Sequence, residues 1–258
     1  MSRLCNALIG ALITTWGFGA PIAGTAGAAE PDVYTAALAN PARSAADRER
    51  DARDRPAEVL ALAGIKSGMV VADIFGGGGY WSEILTGVVG VEGSVLLVNN
   101  PPYVEFAKKE LDARFGGGRL ASVKQRVVDA KALGLGSGAV DAAIIVLSYH
   151  DLYHVDEKGG WPAIDAAQFL EQIRSAIKPG GVFVVIDHAA QDGTGSAAAQ
   201  ELHRIEEAFA ERDIESHGFE LETRWDGLRN AADDRSKLVF DPAVRGKTDR
   251  FTHVYRRK

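Results

Sequence analysis

The sequence predicts an α/β domain built on a doubly wound, mostly parallel sheet. From residue 69 onward, short runs rich in Val and Ile alternate with longer stretches of helical spacing. Several of these runs are apolar throughout, as strands covered on both faces require. The last two predicted strands have no helix between them that is long enough for a parallel crossover. We therefore expect a seven-stranded sheet whose last strand is antiparallel.

Composition and charge exclude several classes of protein. The 258 residues are 46% hydrophobic and 25% charged, which rules out a disordered, fibrous or multi-span membrane protein. No repeat or long low-complexity linker divides the chain, so residues 29–258 are expected to form a single domain. The formal net charge of −6 argues against non-specific binding to nucleic acid, and we expect no nucleic-acid partner.

The first 28 residues have the pattern of a signal peptide. Arg3 is their only charged residue, residues 7–20 are apolar or small, and residues 26–28 give the small-x-small pattern of a signal-peptidase site. Cleavage there predicts a periplasmic or secreted protein with no stable membrane insertion. An uncleaved membrane anchor is the alternative, although glycines and Pro21 interrupt the apolar stretch.

The elements of the domain can be placed in order along the chain. Residues 44–54 are dense in alternating charge and predict an exposed helix. The predicted strands are residues 69–75, 94–98, 122–128, 140–147, 182–186, 219–224 and 250–255. Helical spacing is found between them at residues 80–88, 104–115 and 163–177. Strands that alternate with helices in this way form a parallel sheet with right-handed crossovers.

A run of four glycines, residues 76–79, joins the first strand to the next helix and is the strongest local signal. Asp73 lies near the end of that strand, and the helix begins at Tyr80. Backbone N–H groups and the positive end of a helix dipole would then face a ligand at the carboxyl ends of the strands. Because glycines permit a close approach, we expect a ligand here, with a plain tight turn as the alternative.

The motif around this loop distinguishes between kinds of ligand. A G-x-G-x-x-G dinucleotide loop would need a further glycine two or three residues after the run, and a phosphate loop ending in G-K-[ST] is also absent. The segment instead resembles motif I of the class I S-adenosylmethionine-dependent methyltransferases. Asp73 matches the acid of that motif, Gly77 and Gly79 match its second and third glycines, and Phe75 replaces its first glycine.

The resemblance extends over residues 56–258 and is close to a group of predicted exported bacterial methyltransferases. It implies a Rossmann-like fold with S-adenosylmethionine as cofactor, and it places Asp129 near the adenine edge. The cofactor-binding residues that it implies are Asp73, Gly76, Gly77, Gly79, Asn99 and Asp129.

Asn99 departs from the family pattern. In the family, the second strand ends in an acid whose carboxylate accepts hydrogen bonds from both ribose hydroxyls. An amide has one acceptor oxygen and no charge, so the resemblance implies weak binding of S-adenosylmethionine. Restoring the acid in Asn99→Asp is then expected to raise the affinity roughly tenfold or more, the equivalent of about 1–2 kcal/mol.

Polar residues follow the fourth and fifth predicted strands, where substrates of open parallel sheets bind. His150 is our preferred general base because an imidazole titrates near neutral pH, and Tyr149 and Asp151 would position the acceptor or orient the imidazole. A structural role in capping the strand is the alternative for His150 and Tyr149. His203 and Arg204 could reach over the cleft to an anionic acceptor or form a surface pair.

Four residues after the fourth and fifth predicted strands are of types that bind metal ions. His150, Asp151, Asp187 and His188 could converge on a transition-metal ion, but their spacing matches no strict ligand motif. We therefore predict no metal ligand from the sequence.

These observations predict methyl transfer from S-adenosylmethionine to an unidentified small-molecule acceptor near His150. The alternative is a non-catalytic protein that binds S-adenosylmethionine or a nucleoside through a degenerate methyltransferase fold, which Phe75 and Asn99 favour. A nicotinamide oxidoreductase is less favoured because the third fingerprint glycine and the ribose acid are both missing.

Overall fold

Seven strands form the central sheet of the structure. The computed structural model describes residues 32–258, so the predicted signal peptide lies outside the described residues. The strands are β1 (Val70–Ile74), β2 (Ser94–Asn99), β3 (Val123–Val127), β4 (Val140–Val146), β5 (Ile177–His188), β6 (Phe219–Arg224) and β7 (Arg250–Arg257). They lie in the order β3-β2-β1-β4-β5-β7-β6. Strand β7 runs antiparallel to both β5 and β6, and the other pairs are parallel, which confirms the predicted sheet.

Helices cover both faces of the sheet. In residues 32–258 they are α1 (Val33–Leu38), α2 (Ala45–Asp54), α3 (Pro56–Leu62), α4 (Tyr80–Val89), α5 (Pro101–Phe106), α6 (Lys108–Phe115), α7 (Ala166–Ala176), α8 (Ala198–Leu202) and α9 (Glu207–Ser216). None of these described helices combines the length and the apolar character that crossing a membrane requires.

The alternation of side chains along each strand builds two hydrophobic cores. In β1, Ala72 and Ile74 face the core that includes Phe169 of α7, whereas Val71 faces the core that includes Leu60 of α3. All of these side chains are fully buried or nearly so. Because strands β1 to β5 are parallel, their carboxyl ends lie at one edge of the sheet, where the glycine loop and the polar residues after β4 and β5 also lie.

Two helix predictions need correction. The single helix expected over residues 104–115 is interrupted at Ala107, whose φ of −98° and ψ of 13° end α5 before α6 begins. The charged helix α2 is not simply exposed, because Asp47 and Asp54 are buried. Asp47 pairs with Arg114 at 2.8 Å, and Asp54 pairs with Arg250 at 2.8 Å, so alternating charge here also serves long-range ion pairs.

Candidate functional site

The glycine loop between β1 and α4 borders a cavity of about 280 Å³, called here the glycine-loop cavity. Its wall includes Asp73, Phe75, residues 76–78 and Trp81. Gly77 and Gly79 have φ values of 56° and 77°, in the left-handed region that favours glycine. The loop therefore turns sharply enough to present its backbone to this space.

Packing explains three of the four glycines as well. A Cβ atom on Gly76 would overlap the carboxyl group of Asp73, one on Gly78 would lie 2.5 Å from Cβ of Glu110, and one on Gly79 would lie 2.9 Å from the ring of Phe115. A close approach of ligand to backbone is thus not the only reason for this run of glycines. Only Gly77 has open space at its Cβ position, and its positive φ alone favours glycine.

Asn99 holds the glycine loop through two hydrogen bonds to one residue. The backbone N–H of Gly77 donates to Oδ1 of Asn99 at 3.0 Å, and Nδ2 of Asn99 donates to the Gly77 carbonyl at 2.9 Å. The side chain is 3% exposed. The resemblance assigns Asn99 to the ribose, but in the structure both polar groups of its side chain are hydrogen-bonded to the protein backbone.

Asp73 and Trp81 each carry a buried polar atom without a hydrogen-bond partner among the described residues: Oδ1 of the carboxyl and Nε1 of the indole. Oδ2 of Asp73 accepts a hydrogen bond from the Ser82 hydroxyl at 2.7 Å. Burial raises the pKa of Asp73 to about 6. Unsatisfied buried groups are costly, so these two atoms suit a ligand that supplies a donor to the carboxylate and an acceptor to the indole.

Asp129 lies elsewhere. It is exposed in the loop after β3, where its Oδ1 accepts a hydrogen bond from the backbone N–H of Lys131 at 2.8 Å. It lines a separate cavity of about 200 Å³ together with Asn100 and Pro101. Asp73, Gly76 and Gly77 thus line the glycine-loop cavity, whereas Gly79 and Asn99 support its loop. Asp129 lines the second cavity and follows Val128, whose N–H donates to the Asn99 carbonyl at 2.9 Å.

A larger cavity of about 450 Å³, called here the histidine cavity, lies at the ends of β4 and β5. His150 and Asp151 reach it from a short 3-10 turn after β4, His188 from the end of β5 and His203 from the end of α8. Apolar side chains form most of the remaining wall, namely Pro102, Phe106, Leu147, Trp161, Val239 and Phe240.

His150 is fixed between two carboxylates. Its Nδ1 lies 2.8 Å from Oδ1 of the fully buried Asp187, and its Nε2 lies 3.3 Å from Oδ1 of Asp151. Burial would lower the pKa of His150, but the charges of Asp151 and Asp187 outweigh it and raise this pKa to about 10. Between these two charges the imidazole holds its proton at neutral pH, and the geometry gives no support for His150 alone as a base.

Tyr149 does not reach the cavity, contrary to the role expected for it. Its side chain is fully buried in the core, and its hydroxyl donates to Asp213 of α9, which also accepts from Tyr153. Tyr149 has helical backbone at the start of the 3-10 turn that follows β4, and successive side chains of such a turn point in different directions. An acceptor in the histidine cavity would not contact Tyr149.

Tyr103 was not identified from the sequence, although it contributes to the walls of both cavities. Its ring stacks on Phe75 with 5.0 Å between centroids, and its hydroxyl donates to Oδ2 of Asp151. Phe106 and Leu147 line both cavities too. The two cavities are therefore neighbours that share one wall.

Three of the five non-glycine residues with a positive φ in residues 32–258 line these cavities. Phe75, Leu147 and His203 have positive φ values of 49°, 58° and 50°, a conformation that L-residues rarely adopt. Such strain persists only where the surrounding structure enforces it, and it is common at functional sites.

Next to His203, Arg204 is fully buried and pairs with Asp233 at 2.8 Å. His203 therefore lines the histidine cavity, whereas Arg204 is neither in the cleft nor part of a surface pair and has a structural position.

Comparison with known proteins identifies the fold. No family model matches the chain, and no curated protein matches it. Its structure is similar to a SAM-dependent methyltransferase from Aquifex aeolicus, at 20% sequence identity and a TM-score of 0.55, over 78% of this chain and 88% of that one. An arsenic(III) S-adenosylmethionine methyltransferase from Chlamydomonas reinhardtii is 18% identical with a TM-score of 0.53, over 88% of this chain and 74% of that one.

A third similar structure is the [4+2]-cyclase SpnF, at 18% identity and a TM-score of 0.54, over 83% of this chain and 82% of that one. At these identities the comparisons establish the fold, which is the predicted Rossmann-like methyltransferase fold. Since one neighbour is named as a cyclase, the reaction has to be argued from the site itself.

Proposed function

We propose that this chain binds S-adenosylmethionine in the glycine-loop cavity and transfers its methyl group to a small acceptor in the histidine cavity. The observation that supports this most is the shared wall of Tyr103, Phe106 and Leu147, which sets the two cavities side by side. Methyl transfer is a displacement that needs donor and acceptor in line, so adjacent binding spaces are its main structural requirement.

The residues of the glycine-loop cavity fit the amino-acid end of this cofactor. The free Oδ1 of Asp73 would accept from its amino group, and Nε1 of Trp81 would donate to its carboxylate. Arg50 also lines the cavity, with its guanidinium 3.9 Å above the Tyr80 ring. When bound, S-adenosylmethionine supplies an electrophilic methyl group.

The histidine cavity fits a small acceptor that is apolar over most of its surface and polar at the reacting atom. Phe106, Trp161 and Phe240 would bury the apolar part, while His150 and Asp151 would orient the polar end. A base is needed only if the acceptor carries a proton on that atom. The role of His150 as that base stays a prediction from the sequence.

Titration calorimetry with S-adenosylmethionine tests the cofactor site. We expect the full chain to bind and Asp73→Asn to bind about 10–100-fold more weakly, because a hydrogen bond to a charged group contributes about 1.5–3 kcal/mol. Asp112→Asn makes the same change on an exposed side chain of α6 and serves as the matched control. Equal affinity of the two variants for S-adenosylmethionine would show that Asp73 does not contact the cofactor.

The non-catalytic alternative keeps one specific observation in its favour, since Asn99 is bound to Gly77 at the position where the family binds ribose. Incubation of the chain with methyl-labelled donor and an extract of small envelope molecules separates the two functions. Transfer of label supports the enzyme, and binding without transfer supports the alternative. Absence of binding would remove both.

A further inference from the structure

Three potential ligand atoms form a nearly equilateral triangle in the wall of the histidine cavity. Nε2 of His150 lies 3.3 Å from Oδ1 of Asp151 and 3.3 Å from Nδ1 of His203. The remaining edge, between Nδ1 of His203 and Oδ1 of Asp151, is 3.4 Å. Hydrogen bonds between N and O atoms are usually about 2.7–3.2 Å long, so all three contacts are long for hydrogen bonds.

These edges are those of a tetrahedral zinc site. Zinc bonds to imidazole nitrogen and carboxylate oxygen are about 2.0–2.2 Å long, which places neighbouring ligand atoms of a tetrahedron about 3.3–3.6 Å apart. Octahedral geometry with bonds of about 2.0–2.1 Å would bring them to about 2.8–3.0 Å. We infer that His150, Asp151 and His203 bind one divalent transition-metal ion, with Zn²⁺ as the best fit.

The partners behind each ligand support this assignment. Nδ1 of His150 faces Asp187, which also accepts hydrogen bonds from the backbone N–H groups of His150 and His188, both at 2.7 Å. Metal-bound histidines are commonly oriented by a carboxylate in this way. The Tyr103 hydroxyl donates a hydrogen bond to Oδ2 of Asp151, so the other carboxylate oxygen, Oδ1, is available to bind the ion.

The charge of the cluster favours a cation. Asp151 and Asp187 are both buried, and in the described part of the chain their ion-pair partners are only histidines. Two buried carboxylates without Lys or Arg are costly unless a cation balances them. Without an ion, a protonated His150 would balance only one of the two charges, whereas a divalent ion bound to Nε2 of a neutral His150 would balance both.

The third ligand is held in place at a cost in backbone strain. His203 has a φ of 50° at the C-terminal end of α8, and the adjacent Arg204 is anchored through Asp233 and the carbonyls of Ala189 and Lys237. A left-handed residue is a common way to end a helix, and here it forms the C-cap of α8. From this fixed position Nδ1 of His203 lies close to both Asp151 and His150.

Three protein ligands leave the fourth tetrahedral position open toward the histidine cavity, as in catalytic zinc sites. That position would take water or the polar atom of a bound molecule, with a hydroxyl, thiol or carboxylate as the matching chemistry. The metal site goes beyond the proposed methyl transfer and does not depend on it. Its three side chains already lie together without S-adenosylmethionine or a methyl acceptor.

Metal binding by the full chain provides the test. After treatment with a chelator and dialysis, the chain is titrated with Co²⁺, whose visible absorption is intense in tetrahedral sites, and Zn²⁺ affinity is measured by competition. We expect one ion per chain and a tetrahedral spectrum. A folded chain that binds no ion, or a weak octahedral spectrum, would overturn the inference.

Two matched substitutions identify the ligands. His203→Asn is expected to weaken Zn²⁺ binding at least roughly 100-fold, and Asn tolerates the left-handed backbone at this position. His188→Asn removes a second histidine of the same cavity, whose ring nitrogen contacts Thr248 at 2.7 Å, and is expected to bind like the unmodified chain. Equal losses in both variants, or none in His203→Asn, would refute the ligand set.

Asp187→Asn tests the orienting carboxylate. It should weaken Zn²⁺ binding about 10–100-fold while keeping the tetrahedral Co²⁺ spectrum, since the three ligands remain. Circular dichroism and thermal melting of each variant verify folding. Calorimetry with S-adenosylmethionine on the same samples keeps the two proposals separate, because zinc binding without cofactor binding would retain this site and reject the proposed function.

Discussion

The paired contact between Asn99 and Gly77 makes Asn99→Asp an informative perturbation. The substitution keeps the acceptor for the Gly77 N–H but replaces the donor Nδ2 by an oxygen, 2.9 Å from the Gly77 carbonyl. A buried carbonyl then loses its partner and faces a negative charge. The expected loss of stability at neutral pH is about 1–3 kcal/mol, or a fall in melting temperature of about 2–4 °C per kcal/mol.

The pH dependence of this loss has a definite sign. In its protonated form the introduced carboxyl could donate to the Gly77 carbonyl, so the folded chain favours the protonated form and the pKa of that carboxyl is raised. The penalty is therefore full at neutral pH and shrinks as the pH falls through that pKa. Urea unfolding at several pH values measures it.

Asn100→Asp is the matched control. Asn100 is also buried, and its Oδ1 accepts from the backbone N–H of Tyr103 at 3.0 Å as the N-cap of α5. An aspartate keeps this acceptor and adds a charge that suits a helix N-terminus, so stability should stay unchanged or rise slightly. If both variants unfold at the same urea concentration as the unmodified chain, the reasoning on Asn99 is refuted. A tenfold gain in cofactor affinity for Asn99→Asp would show that residue 99 engages the ribose.

Other features of the chain support three more predictions. Asp233→Asn should lower stability by about 3–5 kcal/mol in urea unfolding, because the guanidinium of Arg204 stays buried without its carboxylate. Asp73 has a pKa of about 6 against 3.8 for the free group, so stability should fall by up to about 3 kcal/mol as the pH rises from about 4 through about 6, and Asp73→Asn should flatten this part of the profile. If the predicted signal peptide is cleaved, N-terminal sequencing of the protein from an envelope fraction should begin at residue 29, whereas an intact N-terminus would favour the uncleaved anchor.

Periodicity in the sequence was sufficient to predict the sheet. All seven strands were placed within a few residues, since apolar runs and glycine turns are local signals. The largest difference is β5, which begins at Ile177 rather than at residue 182, because pairing of Ile177 with Val140 extends the strand across a register shift. The break at Ala107 was missed because α5 and α6 are both short and the residue itself carries no helix-breaking signal.

The candidate site was only partly predictable. Asp73 and the glycine loop follow from one contiguous motif, and His150 and Asp151 follow from their place after a strand. His203 joins them from 53 residues away, and Tyr103 contacts Asp151 across 48 residues, so no local pattern could associate them. The prediction for Tyr149 was wrong for the opposite reason. Tyr149 is adjacent to His150 in sequence, but the two side chains point in different directions.

The two departures from the family motif are satisfied within the structure. Phe75 donates its N–H to the Val98 carbonyl at 2.7 Å and stacks on Tyr103, and Asn99 uses both of its polar groups on Gly77. Decay of a binding site would leave unsatisfied groups at the substituted positions. Buried polar atoms without a partner occur at eight residues of the described range, and the two of these residues that line the glycine-loop cavity are Asp73 and Trp81. Phe75 and Asn99 therefore show no sign of decay, while the cavity wall beside them keeps polar atoms that a ligand could satisfy, which supports our proposal that this cavity binds a ligand.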